Sequence, residues 1–420
     1  MGRTIARTLA ALAVAVAGLT ASVAASGAAS AAPAGSAHTA PAHTVPAHIA
    51  AQPTANELEG IWCASIKGCI AVGSDRNGPS PLSETWNGSA WKKVGVKLPA
   101  KLSHGRLFDL SCLSGRDCVA VGMAFASPVS AHALAETWTG SGWKPALPPA
   151  PAGQATVLTG ISCRSARSCV AVGSDTVKLP LSGPGAGSPG AAALSDLLVG
   201  TTWVRKPVPV PKGTLISQLN KVSCPAAGFC MAVGGIEAVS GAGTALVDVW
   251  NGKAWSLLKP AKLPAGVTDA SLNAVSCASA THCVAVGFAG GGGLSAISEV
   301  WNGKTWSYAK VSWPKGVKNT LLLDVACLSA SHCIAVGSTG NNPNAEGLSG
   351  RTAATLWNGK AWSAMSVPAP AKGRFSLFNG VDCHKAFCAA AGQTGPRGTT
   401  NGIGLAGFTT GGSWKLVAAK

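Results

Sequence analysis

The polar and apolar positions of this chain repeat, and one pattern returns seven times between residues 57 and 420. Each copy contains a Cys, a short polar turn, a second Cys with an apolar run such as V-A-V-G, and a final Trp, usually within W-N-G-x-x-W. In the fifth copy the apolar segments are LNAVSC, CVAVGF, SAISEVW and WSYAKV. Short β-branched segments separated by Gly-rich breaks and Asn-Gly turns are typical of hairpins. Each copy therefore predicts four short antiparallel strands.

Seven four-stranded units of about 50 residues predict an all-β fold, a seven-bladed β-propeller over residues 57–420. A solenoid is the weaker alternative, because the rungs of a parallel β-helix are shorter and contain no four-stranded meander. The low fraction of charged residues, 12%, fits blades that are buried on both faces.

The two cysteines of each copy bracket the turn between the first and second strands. Six copies read C-x5-C and the last reads C-x4-C, so the cysteines can face each other across an antiparallel pair. Zinc ribbons instead prefer C-x2-C spacings in coupled pairs, and most of these copies have no nearby His. One disulfide per blade is predicted, and the pairs are Cys63–Cys69, Cys112–Cys118, Cys163–Cys169, Cys224–Cys230, Cys277–Cys283, Cys327–Cys333 and Cys383–Cys388.

The N-terminus has the three regions of a secretory signal peptide: Arg3 and Arg7, an apolar run over residues 9–19, and a small-residue site at 29–31. We expect cleavage near Ala31, a secreted mature chain and no membrane span in it. The alternative is a retained N-terminal anchor.

Residues 32–56 are rich in Ala, Pro and Thr, which predicts a flexible tether ahead of the propeller. His38, His43 and His48 could hold a metal weakly, but solvated histidines are the more usual finding in such a tail. We expect no bound metal and no cofactor.

The chain carries a formal net charge of +17, and removal of residues 1–31 takes away two Arg, which leaves 31 − 16 = +15. A surplus of this size favours anionic partners. We expect a monomer that binds an anionic cell-envelope polymer, a glycan or a protein, and we do not expect nucleic acid.

The loops between the second and third strands and the Pro-rich linkers between blades differ in every copy, and four-stranded topology places both on the same face. Binding residues are concentrated on such loops. The alternative is that the cations there are dispersed and simply solvated. The candidate binding residues are Lys101, His104, Arg106, Lys212, Lys315, Lys318, Arg351, Lys372, Arg374 and Arg397.

Two further side-chain patterns recur in the blades. The paired tryptophans around Asn-Gly could stack on sugars or bases, but their regular recurrence favours packing. An acid two residues before the first Trp could contribute to a cation site, but we interpret it as strand-to-strand hydrogen bonding. These acids are Glu84, Glu136, Asp196, Asp248 and Glu299, and Thr355 and Gly407 interrupt the series.

The repeat S-C-x5-C-x-A-V-G with W-N-G-x-x-W resembles exported actinobacterial-type β-propeller proteins of unassigned function, and the likeness covers residues 57–420. It is distantly similar to Asp-box (BNR) propellers and to the photosystem II assembly-factor type. The Asp-box aspartate is absent, since Trp301 and Thr409 stand at that position. Some Asp-box propellers are sialidases with a tyrosine nucleophile, but Tyr308, the only Tyr, occupies a packing position and no Arg cluster accompanies it.

Two functions remain open at this stage. The first is an exported binding module that uses the basic loop face and has no catalytic residues. The second is a hydrolase or lyase acting on polysaccharide, with Asp109, Asp269 and Asp324 as acid and base. The sequence specifies no pair of carboxylates, so we favour the binding module.

Overall fold

The computed structural model describes most of the chain from residue 56 onwards. The described ranges are 56–75, 80–126, 130–151, 153–178, 189–267, 269–290, 293–340, 349–385, 387–399, 402–410 and 413–418. The predicted signal peptide and all of the predicted tether except Asn56 lie outside these ranges. Within them, no helix has the length and the apolar character needed to cross a membrane.

The described residues form 28 strands and no α-helix. Blades one to four consist of β1 (Asn56–Ser65), β2 (Gly68–Asp75), β3 (Ser80–Trp86), β4 (Trp91–Val94), β5 (His104–Ser114), β6 (Asp117–Phe125), β7 (Ala131–Trp138), β8 (Trp143–Ala146), β9 (Thr156–Ser165), β10 (Ser168–Lys178), β11 (Pro189–Val199), β12 (Thr202–Lys206), β13 (Thr214–Ala226), β14 (Phe229–Ala238), β15 (Gly243–Trp250) and β16 (Trp255–Leu257). Blades five to seven consist of β17 (Asp269–Ser279), β18 (His282–Gly290), β19 (Ser295–Trp301), β20 (Trp306–Tyr308), β21 (Thr320–Ser329), β22 (His332–Thr339), β23 (Arg351–Trp357), β24 (Trp362–Ala364), β25 (Arg374–His384), β26 (Phe387–Pro396), β27 (Ile403–Thr409) and β28 (Lys415–Ala418).

Every blade is a sheet of four consecutive antiparallel strands, which confirms the predicted seven-bladed β-propeller. The first strand of each blade is innermost, because it contacts the first strands of both neighbouring blades. The ring closes without exchange of a strand. At the closure, β1 packs against β25, and Asn379 Nδ2 donates to the carbonyl oxygen of Leu58 at 3.0 Å.

The Ser of the S-C motif joins neighbouring blades. Ser111 Oγ accepts a hydrogen bond from the backbone N–H of Cys163 in the next blade at 2.9 Å, and the same contact recurs three more times at 3.0 Å. At the closure, Asp382 takes the place of Ser and accepts from Cys63 N–H at 3.0 Å. The motif is therefore a repeated bond between innermost strands.

The Gly of the V-A-V-G run is required by a close backbone approach. Each innermost strand has a bulge, as at Glu59 between the paired residues Leu58 and Gly60, and the strand's backbone turns toward the second strand there. A Cβ atom on Gly73 would lie 1.9 Å from the carbonyl oxygen of Glu57, and the equivalent Gly of every other blade meets a carbonyl oxygen at 1.9–2.1 Å. Only Gly fits this position.

All seven predicted disulfides are present, with Cα–Cα distances of 3.9–4.1 Å. The tryptophan pairs pack at ring centroid distances of 5.1–5.7 Å, mostly buried, which confirms their interpretation as packing residues. Tyr308 packs against the core between the fourth and fifth blades, as predicted.

The close approach at the bulge can be tested with Gly122→Ala in the second blade, where the added Cβ would lie 1.9 Å from the carbonyl oxygen of Arg106. We expect the free energy of unfolding to fall by about 1–3 kcal/mol, because the two strands must separate. Gly115→Ala is the matched control, since its Cβ would meet nothing within 4 Å. Equal melting temperatures for the two variants in calorimetry would show that the contact is not limiting.

Candidate functional site

Charged side chains from three non-adjacent blades meet at the centre of the ring. Lys221 Nζ of the fourth blade lies 2.9 Å from Asp109 Oδ1 of the second and 3.5 Å from Asp324 Oδ2 of the sixth. The other four blades have small residues at this position, which leave space for the charged side chains. These are Gly60, Gly160, Ala274 and Gly380.

Both carboxylates are also held by backbone donors. Ile161 N–H donates to Asp109 Oδ2 at 2.8 Å, and Val381 N–H donates to Asp324 Oδ2 at 2.9 Å. Burial by itself lowers the pKa of Lys221, but the two carboxylates together raise it above its usual value. Lys221, Asp109 and Asp324, which we call the central triad, therefore connect three blades through paired charges. Its two carboxylates are residues that the sequence analysis offered as acid and base.

A second ion cluster joins the first and second blades. Arg106 donates to the carboxylates of Glu57 and Glu59, and Gln393 Nε2 of the seventh blade donates to Glu57 Oε1 at 2.7 Å. Burial acts to lower the pKa of Arg106, and the two glutamates outweigh it and raise that pKa. Arg106 is thus held in an internal ion pair, although sequence reasoning placed it among the cations that bind a ligand.

The acids near the ends of the third strands are fully buried. They are Glu84, Glu136, Asp196, Asp248 and Glu299, each with 0% exposure. Strand-to-strand hydrogen bonding is confirmed for Asp196, which accepts from Arg205 Nε on the adjacent strand at 2.5 Å. The same interpretation is wrong for Glu84, Glu136 and Asp248, because their carboxyl oxygens have no hydrogen-bond partner among the described residues. Glu299 accepts a hydrogen bond at 2.8 Å from the N–H of Ala261, which lies in the linker between blades and not on a strand.

Burial favours the protonated form of four of these carboxyls. It raises the pKa of Glu136 to about 8, and those of Glu84, Asp248 and Glu299 to about 7, from ordinary values near 4. Across the described residues, no three His, Cys, Asp or Glu side chains are grouped closely enough to hold a metal ion. The series is a set of separate buried carboxyls in five of the seven blades, and Asp196 differs from the others in its ion pair with Arg205.

Within the described part of the chain, the exposed charge is almost entirely positive. Among the acids in the described ranges only Asp117 is exposed, and all others are buried or half-buried. Most lysines and arginines are exposed at the two ends of the blades. We call the end with the first-to-second and third-to-fourth strand turns the turn face, and the opposite end the loop face.

The loop face carries the candidates predicted from sequence, in three groups and one single residue. Lys101 and His104 lie by the second blade, Lys212 before the fourth, and Lys315 and Lys318 before the sixth. The largest group lies between the sixth and seventh blades and consists of Arg351, Lys372, Arg374 and Arg397.

Hydrogen bonds to backbone carbonyls connect two members of this group, Arg374 and Arg397. Arg397 Nε donates to the carbonyl oxygen of Arg374 at 3.0 Å, and Arg397 N–H donates to that of Gly373 at 2.9 Å. Arg374 Nη2 donates to Thr394 at 3.3 Å. His104 is stacked on Phe125 with a centroid distance of 5.4 Å. The predicted residues thus lie around the rim of the loop face and do not converge on one pocket.

Among the residues that the structure describes, the turn face carries eleven exposed cations, at least one from each blade, and a single exposed acid, Asp117. No salt bridge involves these cations within the described ranges. They are Lys67, Lys92, Arg116, Lys144, Arg164, Arg167, Lys253, Lys304, Lys360, Lys385 and Lys415.

Turn chemistry positions several of them. In the W-N-G-K-A-W turn, Asn251 Oδ1 accepts hydrogen bonds from the N–H groups of Lys253 and Ala254 at 3.0 Å, and Gly252 has φ +91°. The same arrangement holds Lys304 and Lys360. Sequence reasoning passed over this face because its turns are short and similar, although a basic residue at the third position of N-G-x-x-W was a visible signal.

The third of the proposed acid and base residues lies away from the central triad. Asp269, at the start of β17, accepts from Gly243 N–H at 2.9 Å and lines a cavity of about 260 Å³ between the fourth and fifth blades. Glu299 lines the same cavity. The structure therefore does not bring Asp109, Asp269 and Asp324 into one site.

No protein family model and no curated protein matches this sequence. Solved structures match in fold. YCF48 from Cyanidioschyzon merolae is 14% identical with a TM-score of 0.47, covering 83% of this chain and 95% of that one. The β-propeller domain of the Trilobed protease from Pyrococcus furiosus is 8% identical with a TM-score of 0.46, covering 86% and 97%.

A GH74 xyloglucanase from Xanthomonas campestris is 11% identical with a TM-score of 0.52, and the match covers 86% of this chain. It covers 54% of the xyloglucanase, so this chain spans about half the length of that enzyme. At an identity this low, the structural similarity indicates a shared fold and no more, because a propeller fold supports many activities.

The buried acids predict a pH dependence of stability. Because the pKa of Glu136 is raised to about 8 in the folded protein, its unfavourable contribution is absent below about pH 4.5, grows as pH rises and is complete above about pH 8. Glu136→Gln removes it, at about 1.4 kcal/mol for each pKa unit. We expect the variant to unfold at a higher temperature than the parent at pH 9 and at nearly the same temperature at pH 5.

Asp117→Asn is the control, because Asp117 is exposed and its substitution removes a carboxylate that is not buried. Parallel pH profiles for the parent and Glu136→Gln would contradict a shifted ionisation at that position.

Proposed function

We propose that this protein is an exported binding module that holds an anionic cell-envelope polymer on its basic surface. The observation that carries the proposal is the separation of charge. Acids are inside the blades and cations are at the blade ends, with Asp117 the single exposed acid among the described residues. Export is part of the proposal and is supported by the signal-peptide pattern of residues 1–31 and by seven disulfides.

The arrangement of the turn face suits a repeating polyanion. Cations around a ring of seven blades present regularly spaced charges, so a flexible polymer with one acid group per unit can contact several at once. The buried carboxyls strengthen this field, because protonated acids do not offset the lysines. The loop face offers a second basic rim through Lys212, Lys315, Lys372 and their neighbours, although Arg106 is not part of it.

Two variants of equal charge separate the two faces. The turn-face variant changes Lys67, Lys253, Lys304 and Lys360 to Gln, and the loop-face variant changes Lys101, Lys212, Lys315 and Lys372 to Gln. Four lost contacts of about 0.3–0.5 kcal/mol each amount to about tenfold in affinity. On immobilised polygalacturonate at low salt, we expect the turn-face variant to bind about tenfold more weakly and the loop-face variant to change less.

Added salt should release the parent protein, since screening weakens contacts between exposed charges. Retention that persists at 1 M salt would refute the electrostatic mechanism. A larger loss in the loop-face variant would move the binding surface to the loop face.

The hydrolase or lyase alternative has one location in its favour, the cavity that contains Asp269 and Glu299. If this cavity is catalytic, the parent protein should release reducing or unsaturated ends from a panel of polysaccharides, and Asp269→Asn should abolish the release. Asp175→Asn is a matched control, because it removes a carboxylate of the third blade, away from this cavity, where Asp175 is paired with Arg205.

A further inference from the structure

The turn face of the seventh blade departs from the repeat. In four other blades the indole N–H of the first Trp donates to a carbonyl oxygen of the first turn at 3.0–3.2 Å, as Trp357 does to Ala330. This Trp pairs in register with the second Cys, as Trp357 pairs with Cys333, so the indole covers the disulfide and the turn.

Five blades place a Trp at this position, the third blade has Leu198, and the seventh has the small polar Thr409, paired with Cys388. Its first turn is also one residue shorter, since His384 pairs with Phe387 and no bulge follows the first Cys. Lys385 begins this tight turn with φ +53°, a left-handed backbone conformation that is common in two-residue hairpin turns and unusual for a residue other than glycine. The indole is therefore missing and the turn beneath it is altered.

A cavity of about 360 Å³ lies where the indole is missing, between the sixth and seventh blades. Its polar lining comes from Lys385, His332, Thr409 and Thr410, and its apolar lining includes the Phe387 ring. No carboxylate lines it. Its volume is in the range of ordinary small-molecule sites.

We propose that this cavity binds an anionic sugar residue of the polymer. Lys385 and His332 provide cationic and hydrogen-bonding groups for the acid group, and the Thr410 hydroxyl can bond to ring hydroxyls. The Phe387 ring gives an apolar surface for the C–H face of a pyranose. The shared chemistry is a sugar that carries one acid group, whether carboxylate or phosphate.

The cavity opens on the same face as the turn-face cations, and Lys360 and Lys415 belong to the two blades that form it. A polymer residue held here would leave neighbouring residues in reach of those cations. The inference rests on the proposed function and adds a specific subsite to a surface that otherwise acts through charge alone.

The test is calorimetric titration of the full chain with trigalacturonate, a glucose 6-phosphate arm and neutral maltotriose. Thr409→Trp introduces the side chain that five other blades carry and should fill the cavity, so we expect it to abolish measurable trigalacturonate binding. Lys385→Gln should weaken binding about tenfold, the cost of losing one charge-assisted contact. Lys259→Gln is the matched control, because Lys259 is exposed in the linker after the fourth blade and belongs to neither cation set changed above; it should stay within about twofold of the parent.

Unchanged trigalacturonate binding in both Thr409→Trp and Lys385→Gln would overturn the subsite. So would equal affinity for maltotriose, because the anionic class would then be wrong. Preference between the uronate and the phosphate arm identifies the acid group. If Thr409→Trp lowers the melting temperature, Lys385→Gln alone decides the outcome.

Failure of this subsite is distinguishable from failure of the proposed function. Salt-sensitive retention on polygalacturonate together with no trigalacturonate binding would remove the subsite and leave the polymer-binding function. Trigalacturonate binding that Thr409→Trp abolishes, without retention of the polymer, would remove the function and leave a small-ligand cavity.

Discussion

Seven innermost strands converge on one axis, and this crowding decides which side chains the centre of the protein can hold. Where a bulge brings a carbonyl oxygen to within 2 Å of a Cβ position, as opposite Gly73, only Gly fits. Where the intervening blades have Gly or Ala, space remains for Asp109, Lys221 and Asp324. The lysine lies between the two aspartates and neutralises charge that would otherwise be costly to bury. The S-C hydrogen bonds then connect strand to strand around most of the ring.

Packing on both faces of every blade also determines the electrostatics of the surface. An acidic side chain near the end of a third strand is buried between blades. Burial there raises the pKa of its carboxyl, as at Glu136. A residue count assigns each of these acids a full negative charge, although several are protonated near neutral pH. The net charge of the sequence therefore understates how basic the exterior is.

Local patterns made the architecture predictable from sequence. The cysteine pairs, the Asn-Gly turns and the final Trp are each separated by a few residues, so strand number and disulfide pairing followed directly. The ion clusters did not follow, because Asp109 and Lys221 lie 112 residues apart and meet only once the ring closes. For the same reason Arg106 looked like a surface cation, and its partners Glu57 and Glu59 belong to another blade.

A repeat protein also makes its exceptions informative, because each has six counterparts for comparison. Asp382 replaces Ser in the seventh blade, and the replacement has a structural explanation, since its carboxylate accepts from Cys63 N–H where the ring closes. Thr409 stands in the same blade at the position where five blades have Trp, and it lines a cavity beside Lys385. A replacement that bonds across the closure of the ring has a structural role, and a replacement that lines an open, chemically mixed cavity indicates a ligand. In a fold whose blades are otherwise interchangeable, this distinction is the strongest guide to where binding can be specific.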